Sequence, residues 1–139
     1  IDFQDAVIGP VTYDPVSLLK DCYIRWPRSV QLAWLASYQS ELEASGVIAP
    51  VPEATFIKWF DLMGLQRHIK VLGIFSRLAF RDGKPDYLQD LPRVIAYVTE
   101  VLDLYAETEP ALAAFKTLFD TQILPVCAKA PWFRGEAPE

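Results

Sequence analysis

The stretch that decides the fold is residues 53–80, EATFIKWFDLMGLQRHIKVLGIFSRLAF. Its apolar residues recur at intervals of three and four positions, which is the spacing of one face of an α-helix. They are Phe56, Trp59, Phe60, Met63, Leu72, Phe75, Leu78 and Ala79. This pattern predicts the longest helix of the chain, with a break or kink at Gly64 or Gly73, and a mainly α fold.

Two further helices are predicted before this stretch. Asp14 is placed to cap a helix N-terminus, and Pro15 suits the first helical position because an N–H has no partner there. We expect this helix to end near residues 26–27. Ser29 is the expected N-cap of the following helix, and Gly46 is its expected end.

The C-terminal half is predicted to continue as helices separated by short turns. Residues 81–85, RDGKP, are typical of a turn. Apolar residues at helical spacing predict a helix over residues 91–105. Another helix is expected to begin at Pro110 and to end at Pro125, and residues 131–139 are expected to form a loosely ordered tail.

Composition excludes several classes of protein. The chain has 139 residues, which fits one domain, and 52% of them are hydrophobic, so the bulk of it is not intrinsically disordered. Thirteen basic and 18 acidic side chains give a net charge of −5, which argues against nucleic-acid binding. No apolar run approaches the roughly 18 residues that span a membrane. Cys22 and Cys127 form no CxxC pair, which favours reduced thiols and a cytoplasmic protein.

The candidate metal ligand lies at the start of the chain. Residues 1–3 have the character of the end of a buried strand, and Asp2 therefore places a carboxylate just before a turn. Gln4 and Asp5 lie within that turn. Mg²⁺ takes oxygen ligands, often one or two carboxylates together with substrate phosphates and water. The alternative is that Asp2 only ends the strand and caps the turn.

Several segments resemble a known family. They are IDFQDA at 1–6, GP at 9–10, YDPVSLL at 13–19, DCYIRWP at 21–27 and MGLQRHIKVLGIF at 63–75. The chain resembles the aminoglycoside phosphotransferase family, which consists of protein-kinase-like small-molecule kinases. The resemblance covers most of the chain and is greatest to the bacterial cell-wall amino-sugar kinases, which phosphorylate N-acetylmuramate and N-acetylglucosamine at the anomeric hydroxyl.

The resemblance implies a fold and a set of roles. The chain would be the helical C-terminal lobe of a protein-kinase-like fold, with a short strand at its N-terminus. Asp2 would bind the Mg²⁺ that bridges the phosphates of ATP, and Gln4, which stands where protein kinases have Gly, would lie beside the nucleotide. Asp14 would brace the catalytic loop from the start of a helix, which is a structural role.

Candidate contacts with the sugar substrate are Asp5, Trp26, Arg67, His68 and Lys70. A guanidinium at Arg67 could pair with a substrate carboxylate, although a solvated basic stripe shared with Lys70 is the alternative. Trp26 could offer a flat apolar wall to a sugar ring or could pack in the core. A lone histidine is more often packed than functional. Trp34, Trp59 and the phenylalanines are expected in the core.

Other parts that phosphoryl transfer needs are absent from these residues. The family's catalytic loop begins His-x-Asp, whereas the single histidine, His68, is followed by Ile69-Lys70. The six glycines form no G-x-G-x-x-G loop. We expect the N-terminal lobe and the catalytic Asp to lie upstream of Ile1. Residues 1–139 would then contain no catalytic base and would be inactive alone.

Two alternatives compete with an amino-sugar kinase. An aminoglycoside is a polycation and would need a pocket lined with carboxylates, whereas the Arg/Lys stripe favours a neutral or anionic sugar. The second alternative is a non-catalytic helical module whose aromatic surface binds a partner chain.

Overall fold

The computed structural model describes residues 8–133. Six α-helices follow one another there: α1 (Tyr13–Leu19), α2 (Arg28–Ala44), α3 (Glu53–Phe80), α4 (Leu91–Tyr105), α5 (Pro110–Leu118) and α6 (Leu124–Cys127). A 3₁₀ segment, Pro85–Asp90, leads into α4, and a π-helical segment, Phe119–Ile123, joins α5 to α6. The mainly α class is confirmed, and residues 8–133 contain no strand. The predicted strand at residues 1–3 and most of the predicted tail, residues 134–139, lie outside the described residues.

Helix α3 organises the other elements. It packs against α1, α2, α4 and the 3₁₀ segment. Its bounds agree with the predicted ones, but the expected break at a glycine is wrong, because the helix is continuous from Glu53 to Phe80. Gly64 instead allows a close approach: a Cβ there would lie 2.9 Å from Cδ of Lys20. Neither α3 nor any other described helix is long and apolar enough to cross a membrane.

Two apolar cores lie along α3. The N-terminal core joins α1, α2 and the first turns of α3 through Val16, Leu35, Phe56 and Phe60. The larger core joins the rest of α3 to α4 and to the C-terminal helices, and its buried members are Leu65, Phe75, Leu91, Ile95, Val98, Val101, Leu102 and Phe119.

The expectation that Trp34 and Trp59 belong to the core is wrong, because these side chains are 45% and 42% exposed. Phe80, at the end of α3, is also exposed. Their spacing matches an apolar helical face, but spacing alone does not say what covers that face.

The predicted bounds of α1 are wrong at both ends. Thr12 occupies the N-cap position and no side chain caps the helix, so Asp14 is a residue of the first turn rather than the cap. The helix ends at Leu19 instead of continuing to residues 26–27. Residues 20–27 leave the helical path because their backbone carbonyls accept hydrogen bonds from side chains of other helices, as described below.

Prolines account for the other differences from the predicted bounds. Pro27, with φ −53° and ψ 141°, holds the residue before α2 in an extended conformation, so Pro27 and not Ser29 is the N-cap. Pro125 does not end the last helical segment. It is the second residue of α6, directly after the π-helical turn. Gly46 follows α2 with φ 73°, as expected of a residue that ends a helix.

Candidate functional site

A groove of about 480 Å³ lies between the start of the described chain and the N-terminal half of α3. Residues 10–12 form one wall, and Trp59, Leu62, Met63 and Gln66 form the other. The second wall comes from a single helical face, because these four residues recur at intervals of three, one and three positions. Small-molecule sites commonly combine such apolar walls with a few polar groups.

The walls of the groove are held by hydrogen bonds. The hydroxyl of Thr12 donates to the carbonyl of Trp59 at 3.5 Å, which joins the two walls. The hydroxyl of Tyr38, from α2, donates to the carbonyl of Val11 at 3.0 Å. The wall of residues 10–12 is therefore held by contacts within the chain. The side chain of Gln66 is exposed and supplies an amide at its edge.

Arg67 and Tyr13 each follow directly, in sequence, a residue that lines the groove. The guanidinium carbon of Arg67 is 4.7 Å from the centre of the Tyr13 ring, a distance typical of a cation–π contact. Tyr13 follows the first wall in sequence, and Arg67 follows the last residue of the second wall. Lys70 is exposed one helical turn further along α3. None of the predicted substrate contacts Trp26, Arg67, His68 and Lys70 lines the groove itself. Arg67 comes next to it in sequence, because it follows the lining residue Gln66.

His68 is buried inside the protein, whereas Arg67 and Lys70 lie at its surface. The side chain of His68 is nearly fully buried, and its ring stacks on Tyr97 with 4.5 Å between ring centres. Nε2 lies 2.9 Å from the carbonyl oxygen of Lys20, so the ring donates a hydrogen bond there. Burial lowers the pKa of His68 to about 4, and the nearby positive charge of Lys20 acts in the same direction. His68 is therefore neutral at pH 7.

The polar feature that sequence reasoning missed is a buried ionic cluster around Asp61, called here the Asp61 cluster. The carboxylate of Asp61 is fully buried and accepts a hydrogen bond from Lys20 at 2.8 Å. Arg28 binds both of its oxygens, at 2.5 and 2.6 Å, and the hydroxyl of Tyr105 donates to it at 2.9 Å. These four residues come from the end of α1, the start of α2, the middle of α3 and the end of α4.

The charge state of this cluster follows from its contacts. Burial alone would raise the pKa of Asp61, but the hydrogen bonds from Arg28 and the charge of Lys20 outweigh burial and hold that pKa below its ordinary value. Asp61 is therefore ionised at neutral pH. The sequence carried a weak signal for it, because Asp61, Gly64 and His68 share the spacing of one helical face. The structure shows that all three are buried.

The connector, residues 20–27, is held along its backbone by the same helices. The carbonyls of alternate residues Lys20, Cys22, Ile24 and Trp26 accept hydrogen bonds from the side chains of His68, Arg93, Tyr97 and Gln31. The four donor–acceptor distances run from 2.7 to 3.2 Å. Side chains of α2, α3 and α4 thus satisfy backbone carbonyls that would otherwise accept intrahelical hydrogen bonds. The chain can therefore leave the helix after Leu19 without losing these bonds.

Trp26 lies on the outer side of the connector. Its ring meets the ring of Trp34 edge to face, with 5.2 Å between centres, and both rings are partly exposed. The structure therefore places Trp26 at the surface, on a backbone that Gln31 holds. It does not place Trp26 among the residues that line the groove.

The remaining predicted site residues lie at or beyond the N-terminal edge of the described chain. Asp14 is exposed in the first turn of α1. Asp2, Gln4 and Asp5 lie outside the described residues. Among residues 8–133, no three His, Cys, Asp or Glu side chains are arranged to hold a metal ion. Cys22 and Cys127 are free thiols, and burial raises the pKa of both, which makes them weak nucleophiles.

Comparison with known proteins gives relatives of one kind. The chain is similar to the N-acetylmuramate/N-acetylglucosamine kinase of Pseudomonas putida, with 49% identity over 102 residues, which is 73% of this chain and 30% of the relative. The kinase of the same name from Neisseria meningitidis is 47% identical over 115 residues, 81% of this chain and 34% of the relative. The one from Caulobacter vibrioides is 32% identical over 126 residues, 88% of this chain and 31% of the relative.

The chain thus spans about a third of the length of the curated relatives it matches. No protein-family model matches it, and no solved structure matches it closely enough to count as a relative.

Proposed function

We propose that this chain is the helical C-terminal lobe of an ATP-dependent kinase that phosphorylates N-acetylmuramate or N-acetylglucosamine at the anomeric hydroxyl. The observation that carries the proposal is the 47–49% identity to kinases named for these two sugars, over 98–115 residues. Identity at that level, sustained over most of this chain, supports a shared fold and a shared role for the matched region.

In this proposal Asp2 and Gln4 face the nucleotide. A carboxylate is an oxygen donor of the kind that Mg²⁺ prefers, so Asp2 suits the metal that accompanies ATP. When bound, Mg²⁺ would neutralise charge on the phosphates. The base that takes the proton of the sugar hydroxyl is an Asp that we place upstream of Ile1, so residues 1–139 bind and orient but do not themselves catalyse.

The described residues would provide a rigid frame for the acceptor. Asp14 is exposed at the start of α1, where its carboxylate is free to brace a preceding loop. The Asp61 cluster ties α1, α2, α3 and α4 together at one point, so the connector and its exposed Trp26 keep one position. Reduced thiols at Cys22 and Cys127 suit a cytoplasmic enzyme.

Charge supports an amino sugar over an aminoglycoside as acceptor. None of the seven residues that line the groove, all of them in the described part of the chain, is acidic. Arg67 follows Gln66, the last lining residue on α3, and its positive charge disfavours a polycation. An amino sugar that is neutral, or that carries a carboxylate, meets no such repulsion.

The test is an acceptor panel with the full-length protein. We expect ATP-dependent phosphorylation of N-acetylmuramate and N-acetylglucosamine, and none of an aminoglycoside. Transfer to the aminoglycoside alone would overturn the choice of acceptor. An absence of transfer to any acceptor would favour the alternative of a non-catalytic interaction module.

A substitution tests the role of Asp2 separately. Asp2→Ala in the full-length protein should abolish turnover while the melting temperature stays unchanged, because a ligand of the nucleotide metal would be lost without loss of packing. The matched control is Asp103→Ala, an acidic residue that is exposed on α4 and paired with Lys116, and it should retain activity. Appreciable activity in Asp2→Ala would remove Asp2 from this role.

A further inference from the structure

We infer that the groove between residues 10–12 and α3 is the subsite for the acceptor sugar, with Trp59 as its stacking surface, Gln66 as a polar contact and Arg67 as the selector for a carboxylate. The inference rests on the proposed function and assigns to it residues that the resemblance did not: Trp59 and Gln66 were not among the predicted contacts.

The groove is large enough for a small molecule and combines an exposed aromatic ring with one amide. Its volume of about 480 Å³ lies within the range of roughly 300–1,000 Å³ that is usual for small-molecule sites. The ring of Trp59 is 42% exposed within it. The negative face of an indole attracts the C–H hydrogens on one side of a pyranose. Leu62 and Met63 offer an apolar surface to the methyl of an acetamido group.

The groove is also preformed, which lowers the entropic cost of binding. Thr12 bonds to the backbone of α3, and Tyr38 of α2 bonds to the carbonyl of Val11, so the wall of residues 10–12 is held at two points. The backbone N–H of Tyr13 donates to the carbonyl of Pro10 at 3.0 Å and closes the turn at the end of that wall. The ligand therefore does not have to order the groove.

Charge determines which sugar fits best. Arg67 lies over Tyr13, next to both walls, and its planar guanidinium can bind both oxygens of a carboxylate. N-acetylmuramate carries a carboxylate on its lactyl group and N-acetylglucosamine does not. The groove should therefore bind the ring and the acetamido group of both sugars, and Arg67 should act on N-acetylmuramate alone.

The experiment is steady-state kinetics of the full-length enzyme with each sugar. Trp59→Ala and Gln66→Ala should each raise the KM for both sugars, for Trp59→Ala by at least about tenfold, and leave the KM for ATP unchanged. Arg67→Gln should raise the KM for N-acetylmuramate about tenfold and leave that for N-acetylglucosamine unchanged. The matched control is Phe80→Ala, an exposed aromatic at the far end of α3, which should change neither KM.

The outcomes separate the inference from the proposed function. If the wild type phosphorylates both sugars but Gln66→Ala and Trp59→Ala leave both sugar KM values and the melting temperature unchanged, the groove is not the acceptor subsite and the proposed function stands. A lowered melting temperature of Trp59→Ala with an unchanged sugar KM would instead assign the groove to packing against another part of the protein. If the wild type phosphorylates no amino sugar, the proposed function fails and this assignment fails with it.

Discussion

The groove and the connector flank the same helix, α3, and use polar groups in opposite ways. In the connector, every second backbone carbonyl from Lys20 to Trp26 accepts a side-chain hydrogen bond. Beside the connector, the fully buried carboxylate of Asp61 accepts hydrogen bonds from two positively charged side chains and one hydroxyl. In the groove, one hydrogen bond joins the walls and the amide of Gln66 points to solvent.

This difference separates residues that stabilise the fold from exposed residues that are available to bind a ligand. A buried ion pair adds little net stability over a well-packed apolar core, but removal of one partner is strongly destabilising because the other charge stays buried. Loss of one charge of the buried pair Lys20–Asp61 should therefore be strongly destabilising. Gln66, by contrast, is exposed in the groove, so its substitution should affect binding and leave stability almost unaltered.

The largest expected effect is the loss of the charge at the centre of the Asp61 cluster. Asp61→Ala leaves Lys20 and Arg28 without their shared carboxylate, and we expect a loss of roughly 3–5 kcal/mol in the free energy of unfolding. Urea denaturation of the full-length protein measures it. Asp103→Ala, which removes an exposed partner of Lys116, should cost less than about 1 kcal/mol. Equal losses of unfolding free energy in the two variants would show that the Asp61 cluster does not stabilise the fold more than an exposed ion pair does.

His68, which donates to the connector, should make the stability of the protein depend on pH. The pKa of His68 is about 4 in the folded protein, below its ordinary value, so the unfolded chain takes up the proton first as the pH falls. The free energy of unfolding should therefore drop by up to about 3 kcal/mol between pH 6.5 and 4. In His68→Gln, whose amide can still donate to the carbonyl of Lys20, this part of the pH dependence should disappear. A variant with the same slope as the wild type would contradict the assignment.

Two glutamines provide a matched comparison of the regions. Gln31 is buried and donates to the carbonyl of Trp26 at 2.7 Å, so Gln31→Ala should cost about 1–3 kcal/mol. Gln66 is exposed in the groove, and Gln66→Ala should change stability by no more than about 0.5 kcal/mol. Thermal melts of the two variants measure the difference. A Gln66→Ala variant as unstable as Gln31→Ala would mean that the groove is a structural element.

Replacing either of two glycines of α3 by Ala should have the smallest effect on stability. The two substitutions should change stability in opposite directions. Gly73→Ala adds a methyl group into open space and should stabilise the helix by roughly 0.5–1 kcal/mol. Gly64→Ala would place its Cβ 2.9 Å from Cδ of Lys20, whose ammonium is held by Asp61, and should destabilise the protein by about 1–2 kcal/mol. Stabilisation by both substitutions would show that Lys20 can move away.

The sequence predicts the helices that are set by apolar spacing and fails where side chains replace backbone partners. The ranges of α3 and α4 follow from periodicity alone. The predicted end of α1 was wrong because the connector is held by His68, Arg93 and Tyr97, each more than 45 positions away in the chain. No local rule can reveal contacts over such separations.

The candidate site was predicted only in part for a related reason. Arg67 was identified by its charge, and its guanidinium lies over Tyr13, which is next in sequence to the first wall of the groove. Trp59 was assigned to the core because its spacing matches the apolar face, whereas its exposure depends on what covers that face. Asp61 was passed over because a single acidic residue on a helix is ordinarily solvated, and its three partners come from other helices.

The most direct test of the central claim is the identity of the product that the full-length protein makes from ATP and N-acetylmuramate. Phosphorus and proton NMR of the reaction mixture locate the phosphate by its coupling to the proton on the same carbon. The account predicts a sugar phosphorylated at the anomeric position, with coupling to the anomeric proton. A phosphate on any other hydroxyl, or no phosphorylated sugar at all, would contradict it.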